Sequence, residues 1–197
     1  MASLPFLDKE ITSSNGTSYE RLDPITDFRQ CHGVVPPERR ILYCCRRLSS
    51  AAPATPNDGQ EECIMKIKVQ IPDCTDSNPV PDPQLSHPTH SAATAHELEA
   101  LQIFGDAGTE YGPRLVAFET LHQGPDGLLP GGYISYTIMT TIPGKSLFDL
   151  GYWSLEPDDR AEIQQSFFEA LAYVVDRRTH SLETNQADKV TTVQCES

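Results

Sequence analysis

Two lysines and one glutamate are spaced so that they could share a charge site. Lys66 and Lys68 stand two residues apart in the apolar run 62–71, so on an extended strand they point to the same side. Further on, 92–104 reads as a helix. At about 100 degrees per residue, Ala93, Glu97, Ala100, Leu101 and Phe104 fall on one of its faces. Glu97 lies in the middle of that stripe and Glu99 points away. A carboxylate centred on an apolar face is costly unless a cation pairs with it, and a lysine of the preceding strand is the obvious partner. Two plainer readings stand beside this one: the lysines line the solvent side of an ordinary hairpin, or the glutamate sits at the edge of its face.

Other chemistries find less support. The six cysteines, Cys31, Cys44, Cys45, Cys63, Cys74 and Cys195, form no C-x-x-C pair, and no histidine stands at zinc-finger spacing from them. Free thiols in a reducing compartment are the expectation. No G-x-S-x-G elbow occurs. His87 and His90 flank Pro88 in a proline-rich stretch, where metal binding would be loose. No metal ligand and no catalytic residue is therefore assigned. The 15 basic and 28 acidic residues give a net charge of -13, which disfavours nucleic acid and anionic membrane as partners. Arg39, Arg40, Arg46 and Arg47 form the one basic cluster and read as surface residues flanking a strand. The first ten residues lack a basic region and an apolar core, so no secretory signal is expected. No run approaches the roughly 18 apolar residues of a membrane span, and a cytoplasmic location follows as the expectation.

The elements that would position these groups are legible in outline. Residues 1–35 are polar and without sustained period, and read as a loose leader with one short element around 19–28. Pro36-Pro37 marks a boundary. The segments 41–48 and 62–71 read as an antiparallel hairpin whose connection ends in the turn-forming Asn57-Asp58-Gly59. A proline-rich insert, 72–91, separates the hairpin from the helix. Segments 114–121 and 133–142 read as two more strands, and a fifth is expected before Ile41. Pro143-Gly144 ends the last strand, and a short helical turn at 146–150 follows. A long helix is then predicted over 154–178, capped by Ser154, with Pro157 in its first turn. The tail 179–197 reads as disordered. The fold class is α+β.

This succession resembles the small lobe of the kinase-like phosphotransferases, in particular their aminoglycoside-phosphotransferase and choline-kinase branch. Cys63-Ile64-Met65-Lys66 is similar to the family's strand bearing the phosphate-holding lysine, which makes Lys66 the first candidate and Lys68 the reserve. Glu97-Leu98-Glu99-Ala100-Leu101 resembles the helix whose glutamate orients that lysine. The segment Tyr136–Gly144 resembles the hinge, so Met139, Thr140, Thr141 and Ile142 are implied as the residues meeting the adenine ring. The resemblance implies ATP with magnesium as cofactor, an N-lobe over 36–144, and the start of a helical C-lobe over 145–178.

The resemblance breaks off where chemistry would occur. The family's His-Gly-Asp loop, its asparagine and its metal-binding aspartate have no counterparts, because His180-Ser181 lacks the aspartate. The glycine-rich phosphate loop is also missing, with only Gly33 in its place. The expectation is thus an ATP-binding lobe truncated before its catalytic loop and inactive as this chain. The alternative is a non-catalytic kinase-like module that engages a protein partner.

Overall fold

The computed structural model describes residues 6–49, 62–73, 86–87, 89–108 and 112–173. The chain divides into two compact units, Met1–Ala100 with Arg114–Thr141, and Leu101–Pro113 with Ile142–Ser197. The first unit holds a seven-stranded sheet: β1 (Glu10–Thr12), β2 (Ser18–Pro24), β3 (Arg29–Cys31), β4 (Glu38–Ser49), β5 (Glu62–Gln70), β6 (Leu115–His122) and β7 (Tyr133–Thr140). Its order is β1-β2-β4-β5-β7-β6, with β3 paired to β4, and each neighbouring pair is antiparallel. One helix, α1 (Ala92–Asp106), intervenes between β5 and β6.

Strict alternation in β4 and β5 separates the two faces of this sheet. Ile41, Tyr43 and Cys45 on β4, with Cys63, Met65, Ile67 and Val69 on β5, are buried on one face. Ile134, Tyr136 and Ile138 of β7 continue it, and Phe6, Leu7, Ile11 and Tyr19 pack against it. The apolar core thus lies on this face of the sheet, and residues of the N-terminal segment belong to it. The opposite face carries Glu38, Arg40, Lys66, Lys68 and Gln70, in register with one another and with Ser135 and Thr137 of β7. This second face is polar yet largely buried.

The N-terminal region departs from its sequence reading. Residues up to 35, expected as a loose leader, contain three strands, and Leu7, Ile11 and Tyr19 belong to the core. The apolar residues that anchor this region are too few, and two of its three strands too short, to show a period. β2 supplies a strand before Ile41. The helix and the last two strands lie within two residues of their expected bounds at every end. The Asn57-Asp58-Gly59 turn, most of the proline-rich insert and the tail lie outside the described residues.

In the second unit, a 3-10 turn, Tyr152–Ser154, precedes α2, which is helical from 157 to the last described residue, 173. Ser154 is part of that turn rather than the helix cap, its N–H donating to Gly151 O at 2.7 Å. Pro157 is the first helical residue, where a missing N–H costs nothing. Within this unit Gln164 Nε2 donates to Tyr152 OH at 2.8 Å. Phe148, Trp153, Phe167, Phe168 and Leu171 are exposed. No helix among the described residues is long and apolar enough to cross a membrane.

Candidate functional site

The charged groups converge where the first turns of α1 meet the polar face of the sheet. Ser91 caps the helix: its Oγ accepts the Thr94 N–H at 3.3 Å, which is the side-chain bond an N-terminal cap makes to the third helical residue. That cap fixes where Thr94 and Glu97 project. Lys66 Nζ donates to Glu97 Oε1, and Lys68 Nζ lies 2.8 Å from Glu97 Oε2. Lys68 also donates to Thr94 Oγ1 at 2.8 Å and stands 3.7 Å from Glu38 Oε1. The Glu38 carboxylate accepts from Tyr133 OH at 2.8 Å and from Ser91 Oγ at 3.1 Å.

The two lysines are not equivalent. The Lys68 side chain is 6 % exposed and has two carboxylate neighbours among the described residues, whereas that of Lys66 is 15 % exposed and among them has Glu97 alone. Lys68 is the keystone of a buried network, and Lys66 lies at its margin. Buried charges of this kind persist only when their remaining donors and acceptors are met, as they are here by Thr94, Ser91 and Tyr133. Burial alone would raise the Glu97 carboxyl, but hydrogen bonds from Lys66 and Lys68 outweigh it and hold it below the ordinary range. The Tyr133 phenol is pushed up by its burial and by the charge of Glu38.

A pH dependence follows from Glu97. Its folded value is depressed, so the stability it contributes is present above its unfolded value of about 4.3 and is lost as pH falls through the folded value. Urea unfolding of wild type and Glu97→Gln should therefore show a stability difference that is full near neutrality. That difference should shrink steadily below about pH 4.3. A difference constant down to the acid limit of folding would show that the charge of Glu97 is not its source.

Beside the network lies a cavity of about 400 Å³, walled by Cys31, Glu38, Arg40, Lys68, Ala93 and Glu97 among others. Burial, and then the nearby Glu38, raise the Cys31 thiol above its usual value, so it is not an activated nucleophile. Among the described residues no cluster of histidine, cysteine and carboxylate side chains gathers to hold a metal.

The structure brings together Lys66, Lys68 and Glu97 but sets the implied adenine-contacting residues apart from them in character. Met139 is buried in β7, paired with Ile64 on one side and Leu115 on the other. The Thr140 N–H donates to Arg114 O at 3.0 Å, and Thr140 Oγ1 accepts the Arg114 N–H at 3.0 Å. Thr141 and Ile142 lie beyond the strand and are exposed, and Ile142 belongs to the second unit. The stripe on α1 also turns by one residue: Ala93 is exposed and Thr94 fully buried, which leaves Glu97 at the flank of the buried face. The polar sheet face accounts for this, since it accommodates Ser91 and Thr94 through hydrogen bonds.

Glu38, Tyr133, Ser91 and Thr94 are site residues that the sequence reading missed. Glu38 carries a usable signal, because it is out of phase with Ile41, Tyr43 and Cys45 and so falls on the lysine side of the hairpin. Ser91, ahead of a helical run, is likewise a cap signal. Tyr133 and Thr94 carry none. No family model matches the chain, and no curated protein or solved structure matches it either.

Proposed function

We propose that the sheet-bearing unit is a nucleotide-binding lobe of the kinase-like phosphotransferase type, with Lys66, oriented by Glu97, meeting the phosphates of ATP. The observation that carries this reading is the ion pair between a strand lysine and a glutamate of the next helix. It is set in the order strand, strand, helix, strand, strand. Lys66 is the ligand-side lysine because it has the smaller set of internal partners, while Lys68 is held by two carboxylates and Thr94. Magnesium would arrive with the nucleotide, and no residue is assigned to a transfer step.

The test is the melting temperature of the full chain titrated with Mg-ATP. Specific binding stabilises by about 2.7 kcal/mol at a ligand concentration of 100 times the dissociation constant. The shift is expected to vanish in Lys66→Met and to weaken in Glu97→Gln. A folded wild-type chain that shows no shift would remove ATP from the account. A protein-interaction module would then lead, a reading favoured by the exposed aromatic side chains Phe148 and Trp153 of the second unit.

A further inference from the structure

The antiparallel register aligns three cations side by side across neighbouring strands. Arg29 of β3 pairs with Arg40 of β4, and Arg40 pairs with Lys68 of β5. Residues directly opposite in such a ladder project from the same face, with Cβ atoms about 4.5–5.5 Å apart, and like charges so placed are destabilising. Two of the three are compensated. Arg29 lies 3.4 Å from Asp27, and Lys68 is held by Glu97 and Glu38. Arg40, between them, has no carboxylate partner among the described residues. It opens with Lys68 onto the cavity of about 400 Å³.

The carboxylates that line this cavity do not supply the missing counter-charge. Glu97 is engaged by both lysines, and Glu38 is engaged by Tyr133, Ser91 and Lys68. An unpaired guanidinium facing a cavity, beside a buried ammonium and with its own register partners both cationic, is the arrangement that an external anion completes. A guanidinium fork suits a phosphate group in particular, since it donates two parallel hydrogen bonds.

We infer that this cavity binds a phosphate or diphosphate group, with Arg40 as its principal ligand beside the carboxylate-paired Lys68 that lines the same cavity. The site deepens the nucleotide reading if the group is the phosphate end of ATP. It stands independently if the group belongs to another phosphorylated molecule.

Isothermal titration of the full chain with sodium pyrophosphate tests the site directly. Saturable one-to-one binding is expected in the wild type. Arg40→Gln should weaken it about tenfold to a hundredfold, as loss of a charged hydrogen-bonding partner does. Arg40→Lys should restore part of the affinity. Arg40 is exposed, so the unliganded melting temperature of either variant should match or exceed that of wild type. Repeating the titration with ATP present separates the sources. Competition assigns the cavity to the nucleotide's phosphates, and simultaneous binding assigns it to a separate phosphorylated ligand, with the anion site upheld in both cases. Pyrophosphate binding that is absent from the folded wild type, or unchanged in Arg40→Gln, overturns the inference. The nucleotide reading would in that event still be judged by ATP and Lys66→Met alone.

Discussion

Replacing Lys68 by methionine is expected to cost the fold about 3–5 kcal/mol, the range for removing one partner of a buried ion pair. The side chain is 6 % exposed and Glu38 beside it is 1 % exposed, so the substitution strands a carboxylate that water cannot reach. Tyr133 and Ser91 still donate to Glu38, but two hydroxyls do not neutralise its charge. Lys66→Met should cost less, because Glu97 keeps Lys68 at 2.8 Å. The order of the two losses is the informative result, read from urea midpoints at neutral pH. A double variant, Lys68→Met with Glu38→Gln, should lose less than the sum of its single changes, since the second removes the charge that the first exposed. Equal losses for the two lysines would mean that they share Glu97 symmetrically and that Glu38 is not part of the network's energetics.

Ile11→Ala is the second large effect. Ile11 is 3 % exposed, sits opposite Tyr19 in the β1–β2 ladder, and packs into the core formed by β4, β5 and β7. Truncating a buried isoleucine costs about 2–5 kcal/mol once the residual cavity is included. The segment is tied down by its backbone as well, with the Arg21 N–H donating to Lys9 O at 2.8 Å and Arg21 Nη2 to Leu7 O at 3.2 Å. A segment held in this way cannot slide in to fill the cavity, so the loss should fall inside that range. A change within about 0.5 kcal/mol, the usual outcome at a surface position, would mean that the N-terminal segment is a leader and not part of the core.

These two expectations divide along the line between local and long-range information. The helix from Ala92, the hairpin of β4 and β5, and the two later strands are written in periodicities of 3.6 and 2 that follow from backbone geometry alone. So is the common side of Lys66 and Lys68, because it depends only on their being two residues apart on one strand. The need of Glu97 for a cation is also legible, since the cost of an unpaired carboxylate is the same wherever it is buried.

What covers each face of the sheet is not written that way. β1 and β3 have three residues each, too few to display alternation, so the burial of Leu7 and Ile11 emerges only when β4 and β5 offer them a surface. The partnership of Lys68 with Glu38, and the lack of a carboxylate partner for Arg40 among the described residues, depend on the register of β4 against β5. A shift of one residue would send Glu38 and Arg40 to the apolar face. The sequence by itself determined α1, the hairpin of β4 and β5, the two later strands, the shared side of the two lysines and the demand of Glu97 for a partner. Tertiary structure alone decided which lysine is buried, which carboxylates hold it and which arginine is left facing the cavity. The reason is that periodicity is a property of one segment, whereas register and burial are properties of segments that meet from distant parts of the chain.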